Sequence, residues 1–342
     1  MPDRDQTLSA VKVHSAETVD TAWWDSLVLS SPDATVFQSG AWAAYLRALG
    51  HQPRFLWSTD VAGHPRGLVL VQRAWSGRRS LIARLLGRAA QAWTWRHGPL
   101  ALGTGPEDDA VHELADAAEA QARRRGTHIE RVTPPLHHGR AVVESVLTGR
   151  GWTPIRQATI VMDLRPSEEA LWRALKPTAR KALGRCERDG VKVRRLLPDE
   201  PLDDYLEVLQ QTRQRLGFGL PPHYPSATMR RAFQGTAAVA EVFVAERGAR
   251  VLGGLGVIGF GPAVIEIAAA QSSEALAEKL YTSDAIKWAV IRWAREAGFR
   301  WYDLGGIDPD PNPTAPKAAA IRQFKEKWGG AVVEFAAFSE KP

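Results

Sequence analysis

A hairpin, a strand, an amphipathic helix with a basic last turn, a glycine stop and an alternating strand follow one another twice along this chain. The first copy runs through RFLWSTDVAGHPRGLVLVQRA, AWTWRHGPLALG, DDAVHELADAAEAQARRRG and GTHIERVTPP. The second runs through VFVAERGARVLGGLGVIGF, VIEIAAAQS, TSDAIKWAVIRWAREAG and FRWYDLGG. In the first helix Val111, Leu114, Ala118 and Ala122 recur at helical spacing, which predicts one buried face. Repetition at this level predicts an α/β chain built as two related units, residues 12–155 and 156–342, with separate α+β domains as the alternative. A chain of 342 residues, 44% of them hydrophobic, is long enough for two cores.

Charge and cysteine content narrow the setting. The formal net charge of +6 suits a polyanionic partner, nucleic acid or an anionic membrane surface, and also a merely basic surface. Cys186 is the one cysteine, so there is no intramolecular disulfide and no cysteine zinc cluster, and a reducing cytoplasm is expected. Nine histidines without paired spacing predict no metal site; His137-His138 lies in a proline-flanked loop. The first residues carry acids and no apolar segment, unlike a signal peptide, and no apolar run is long enough to span a bilayer. Any membrane contact is therefore expected to be peripheral.

The densest stretch is Gly298 to Gly330, GFRWYDLGGIDPDPNPTAPKAAAIRQFKEKWGG. Trp301 to Leu304 predict a strand, and Gly305-Gly306 a turn where a side chain would clash. Asp308 to Pro313 predict a loop, because proline lacks a donor and fixes φ. Helix resumes near Pro316, with Lys325 and Lys327 suited to its carbonyl end and Gly329 as a cap.

Gly298, Tyr302-Asp303, Gly305-Gly306-Ile307, then Phe324-Lys325, Trp328 and Gly329-Gly330 reproduce, in order and separation, a known signature. The stretch resembles the C-terminal signature of the Fem family, non-ribosomal transferases that move an amino acid from aminoacyl-tRNA onto a peptidoglycan precursor peptide. Two further places are similar to the family: Leu171-Trp172 through Arg180-Lys181-Ala182 to Gly190-Val191, and Thr212, Arg215, Gly217 and Phe218. The resemblance implies two tandem units of the acyl-CoA N-acyltransferase (GNAT) type. The long coiled-coil arm of some members is missing, because Arg185 to Val193 runs on without a heptad insertion.

What the resemblance implies for the site is specific. Lys325 matches the family's lysine and would stabilise negative charge at the tRNA terminus, with Phe324 packing on the terminal adenine or the peptide, or else serving as a core residue. Arg215 matches the arginine that binds the acceptor's diphosphate, a task its planar fork suits, and Tyr224 in the following loop would assist. Arg180, Lys181 and Arg185 share a helix face with Arg188 and would meet the tRNA backbone; a solvated surface is the ordinary alternative. In the first unit Gln38-Ser39 leads into a helix with Trp42, Tyr45, Leu46 and Leu49 on one face. A Gln-Ser-x-x-Trp element there resembles the family's N-terminal domain, which makes Trp42 and the nearest basic residue, Arg47, substrate-binding candidates. Arg96-His97-Gly98-Pro99 resembles a family turn, but Ala101 and Leu102 stand where an acid often follows. Asp303 and Glu266 are carboxylates near the signature, and neither is assigned as a base.

The expected reaction needs no cofactor, because the tRNA ester already carries an activated carbonyl. Expected partners are aminoacyl-tRNA and a peptidoglycan precursor, nucleotide- or lipid-linked, or a small peptide acceptor. The chain is expected to act as a monomer in the cytoplasm or at the inner membrane face. Three alternatives stand beside this reading: a Fem-like ligase tailoring a natural product, an acyl-CoA-dependent GNAT enzyme, and a non-catalytic tRNA- or wall-binding protein. Against the acyl-CoA reading, AAAQSSEALAEK supplies no pyrophosphate-cradling glycines between strand and helix, and the glycines of ARVLGGL sit inside a hairpin.

Overall fold

The structure, a computed structural model, describes residues 12–75, 91–103, 107–217 and 227–340. Two compact units emerge: Met1–Arg156 with Phe335–Pro342, and Gln157–Glu334. Each has its own sheet. The Tyr224 and Phe218 positions lie outside the described residues, as do the chain's first residues and most of the basic stretch after Arg73.

The first unit contains β1 (Lys12–Ala16), α1 (Thr21–Ser30), α2 (Gly40–Ala48), β2 (Pro53–Thr59), β3 (Pro65–Trp75), β4 (Gln91–Thr94), β5 (Leu100–Ala101), α3 (Glu107–Arg124), β6 (His128–Ile129) and α4 (Arg140–Gly149). Its sheet runs β1-β2-β3-β4-β6, with β5 on β3. The hairpin expected around Gly63 is β2–β3, with Leu56 opposite Val69. The helical spacing read for α3 is real: Val111, Leu114, Ala118 and Ala122 are all buried, and all four share a core cluster with Leu56 and Trp93. GTHIERVTPP is less regular than its alternation suggested, since only His128 and Ile129 form a strand, parallel to β4.

The second unit's elements are β7 (Thr153–Asp163, which begins just before it), α5 (Glu168–Ala174), α6 (Pro177–Arg188), β8 (Lys192–Arg195), α7 (Asp203–Arg215), α8 (Ala227–Phe233), β9 (Val239–Arg247), β10 (Arg250–Phe260), β11 (Ala263–Gln271), α9 (Ser273–Ala277), α10 (Thr282–Glu296), β12 (Trp301–Ile307), α11 (Pro316–Glu326) and β13 (Ala331–Ser339, which from Phe335 on belongs to the first unit). Strand order is β13-β7-β12-β11-β10-β9-β8. The α5 start follows the sequence signal: Ser167 accepts from the Ala170 amide, with Glu168 and Glu169 in the first turn. Pro177 opens α6 as its first helical residue, where its missing donor costs nothing.

Two packings hold the helices that flank the open end of this sheet. Helix α7 lies on β10 and β11: the Tyr205 hydroxyl donates to the Ala268 carbonyl at 3.0 Å, and a Cβ on Gly254 would fall 2.3 Å from the Tyr205 ring. Glycine there lets the helix settle onto the sheet. Helix α6 is tied to the end of α11 by the Lys176 amide, which donates to the Lys327 carbonyl at 2.9 Å.

One sequence expectation is corrected. Gly305-Gly306 does not end the strand in a turn; β12 continues to Ile307, paired to β7 at Gly306 and Ile307 after an irregularity that follows Asp303. Gly305 takes φ +77, which a side chain would strain, so the glycine serves a kink inside the strand.

Candidate active site

The parallel strands β11 and β12 pair for only three residues, Ala263 with Trp301, Val264 with Tyr302 and Ile265 with Asp303. Beyond that point they part company. β12 stays with β7, whereas β11 stays with β10 through Gln271, with a bulge near Glu266 that bends it away. The divergence opens a wedge at the carboxyl ends of two parallel strands, a place where α/β sheets leave room for ligands.

Charged side chains fill this wedge. Asp303 accepts from the Thr159 hydroxyl and, at 2.8 Å, from the Gly305 amide, while burial pushes its carboxyl up from the usual range. Lys325 reaches in from α11 and donates to the Gly306 carbonyl at 2.9 Å. Its Nζ would lie 3.3 Å from a Cβ on Gly305, so the kinked glycine also makes room for the ammonium. Burial lowers the Lys325 pKa to about 8, against the attraction of Asp303. Behind it, Glu266 accepts from both the Tyr302 hydroxyl and Lys287. Burial, together with Lys325 and Lys327, pushes Lys287 well below the ordinary lysine value, and burial pushes Tyr302 well above the ordinary tyrosine value. Lys327 pairs with Asp284. The Phe324 ring lies 4.3 Å from the Lys327 ammonium and 6.0 Å from that of Lys287, and 6.2 Å from the buried Trp328.

Of the residues expected from sequence, Lys325 and Phe324 meet here. Arg215 stands at the end of α7 and donates to the Gln271 carbonyl at 3.1 Å, on the open end of β11; the Thr212 hydroxyl donates to the same carbonyl at 2.9 Å. Lys317, at the start of α11, donates to the Leu216 carbonyl at 3.4 Å. Helix α11 therefore runs from beside Arg215 to Lys325, a rise of roughly 12 Å.

The basic face of α6 divides by task. Arg180 is spent on structure, donating to the carbonyls of Leu175 and, at 3.3 Å, Arg173 at the end of α5. Arg185 pairs with Asp189 at 3.3 Å and lies over the Tyr281 ring. Lys181 is exposed, as is Arg188. Together these side chains line an open concavity of about 790 Å³, and Lys327 is part of its wall.

Trp42 and Arg47 belong to the other unit. Trp42 is buried, edge-on to Phe37 at 5.0 Å and tilted on Tyr45 at 5.3 Å, the packing that its helical spacing indicates. Arg47 donates to the Glu17 carbonyl and lies over Phe55. Gln38, read only as a helix lead-in, does more: its amide donates to the Arg96 carbonyl at 2.7 Å and accepts from the Leu70 amide at 2.6 Å.

Sequence reasoning missed Lys287, Asp284 and Lys327 as members of the site. A signal existed for two of them: Asp284 and Lys287 interrupt the buried face that Ile286, Val290, Ile291 and Ala294 otherwise make apolar. Charges on such a face call for partners.

Residues 228–337 match the FemAB family, a span that contains the charged residues of the wedge. Among solved structures, FemX superposes with a TM-score of 0.72 at 15% identity, covering 94% of this chain and 96% of that one. L-PGS from Bacillus licheniformis gives 0.55 at 15% identity, covering 87% and 86%. A tandem GNAT protein from the clavulanic acid biosynthesis pathway gives 0.52 at 13% identity, covering 96% and 97%. The fold is thus the tandem GNAT arrangement. No curated protein matches the sequence.

Proposed function

We propose that this chain, which matches the FemAB family over residues 228–337, is a Fem-type aminoacyltransferase that takes its amino acid from aminoacyl-tRNA and forms an amide with a primary amine of a peptidoglycan precursor or related peptide. One observation carries this reading. Lys327 belongs at once to the wall of the basic concavity and to the packing of Phe324, next to Lys325. A polyanion held by Lys181, Arg185 and Arg188 would therefore bring its end beside this half-buried lysine. Backbone phosphates supply such a polyanion, and the charged 3′ end supplies an ester.

The chemistry asks chiefly for placement. The amine nitrogen attacks the ester carbonyl, the carbon–oxygen bond to the ribose breaks, and one proton passes from the amine to the released hydroxyl. The acceptor amine, with a free pKa of about 10.4, must lose its proton before attack. The Lys325 ammonium, half-buried and held by the Gly306 carbonyl, is suited to stabilise the departing ribose oxygen or the oxyanion. Arg215, exposed at the other end of α11, is suited to the acceptor's phosphates. Among the described residues no helix is long and apolar enough to cross a membrane, so a lipid-linked acceptor would be met at a membrane face. The proposed location is the cytoplasm, where aminoacyl-tRNA is made.

The test is incubation with mixed charged tRNAs and nucleotide-linked, lipid-linked and free peptide acceptors, with products read by mass spectrometry. Acetyl-CoA goes in a parallel tube. An aminoacylated peptide is the expected product; robust acetyl transfer without aminoacyl transfer would overturn the reading.

A further inference from the structure

Lys287 is 3% exposed, an extreme for a residue that is almost never fully buried unless paired. Its partner Glu266 stands on the bulged part of β11, and the Tyr302 hydroxyl donates to the same oxygen. The pair is close to the lysine assigned to acyl transfer. A Cβ on Gly305 would lie 3.3 Å from Lys325 Nζ and 3.8 Å from the Glu266 carbonyl, and the Lys287 ammonium is 6.0 Å from the centre of the adjoining Phe324 ring. Apolar residues of similar volume would pack this space without the cost of desolvating two charges. The proposed transfer chemistry gives neither member of the pair a part.

We propose that Lys287 and Glu266 are positioning residues for Lys325: their buried charges, set beside the Phe324–Lys325 turn, impose a field on the Lys325 ammonium that governs how readily it holds its proton. The inference rests on Lys325 belonging to the acyl-transfer site, but the field itself does not.

The charged groups facing Lys325 can be enumerated. β12 contributes Asp303 and Tyr302, β11 contributes Glu266, and α10 contributes Lys287 and Asp284. Its own segment contributes Lys327, Arg322 and Glu326, the last paired with Arg322 at 2.9 Å and 3.8 Å from Lys176. Three carboxylates inside the wedge, Asp303, Glu266 and Asp284, thus face three lysines, and changing one member alters the balance felt by the others. Removing the Lys287 charge leaves Glu266 unopposed, which favours protonated Lys325. Neutralising Glu266 leaves Lys287 unopposed and favours neutral Lys325. A pair without electrostatic coupling to Lys325 would give no such opposition of sign.

The experiment reads Lys325 directly. Acylation by trace acetic anhydride is followed across pH by peptide mass spectrometry of the full chain, giving a midpoint for Lys325 that needs no enzymatic turnover. Lys287→Met is expected to raise that midpoint by about one pH unit, and Glu266→Gln to lower it by a similar amount. Lys287→Gln, whose amide can still donate to Glu266 while carrying no charge, is expected to raise it as well and decides the matter where the methionine variant fails to fold. The alkaline limb of kcat for aminoacyl transfer should move in parallel. Midpoints that stay at the wild-type value, or that move the same way for the lysine and glutamate variants, would overturn the inference. Opposed midpoint shifts in a protein that shows no aminoacyl transfer would instead sink the proposed function and leave the field effect standing.

Discussion

Strands β4 and β6 of the first unit and β11 and β12 of the second are counterparts: each is a parallel pair joined through a long amphipathic helix with a basic last turn. In the first unit the second member of the pair is two residues long, and the chain after it bridges Val132 to Phe338. The buried acid there, Glu130, meets His128 at 3.2 Å. In the second unit the corresponding strand runs seven residues, kinks at Gly305 and opens a wedge lined by three lysines and three carboxylates. The same scaffold therefore makes closure in one place and a charged wedge, the candidate site, in the other. What separates them is a bulge, a kinked glycine and a helix that returns across the opening with Phe324 and Lys325.

The contrast between the units is tested most directly at Lys325. Lys325→Met is expected to lower kcat for aminoacyl transfer by roughly 10²–10³, the usual cost of losing one donor to a developing oxyanion. The reciprocal change in the first unit, Glu130→Gln, should leave kcat within about twofold. Equal losses at the two positions would remove the distinction between the units.

Gly305→Ala comes next. A side chain at φ +77 is strained, and its methyl would press on the Lys325 ammonium at 3.3 Å. About 1–2 kcal/mol of stability and roughly tenfold in kcat should be lost, because small misplacements of a catalytic group are costly. Denaturant melts and steady-state rates check the two separately.

Protonation of Lys325 gives a pH test with a definite sign. Activity that depends on its ammonium should fall as pH rises through about 8. Stability should run the other way: the folded pKa lies below the ordinary lysine value, so the unfolded chain binds more protons in between, and stability rises with pH across the window from about 8 toward 10.5. Denaturant unfolding at several pH values, wild type against Lys325→Met, isolates this contribution.

Smaller effects belong to the surface. Arg215→Ala should raise KM for a phosphate-bearing acceptor by about tenfold with kcat little changed, since exposed charge-assisted contacts act mainly through binding. The double change Lys181→Ala and Arg188→Ala should raise KM for charged tRNA a few-fold and flatten its dependence on salt by about one or two counterions. An unchanged salt slope would mean that the concavity beside α6 does not hold the polyanion.

Much of the scaffold was legible in the sequence because it rests on local signals. The hairpin pattern marked β2 and β3, the spacing of Val111, Leu114, Ala118 and Ala122 marked α3, and Ser167 with its following acids marked the start of α5. The motif residues Phe324 and Lys325 were legible through resemblance. Arg180 was not legible as a structural cap, because a helix-face arginine looks the same in sequence whether it meets water, phosphate or the carbonyls of the preceding helix. Gly305-Gly306 misled for a related reason: glycine freedom serves a turn and a strand kink equally well, and only the pairing of Gly306 with Thr159 decides between them.

From the residues alone came two α/β repeats and, in the second, a motif resembling the Fem signature. Which charges meet was settled only by the fold. Glu266, Asp284, Lys287, Asp303, Lys325 and Lys327 come from β11, α10, β12 and the end of α11, four segments far apart in sequence, and the wedge they share depends on two strands diverging after three residues. Local propensity reports on neighbours a few residues apart, whereas burial and Coulomb interaction depend on distances that exist only once the sheet has closed.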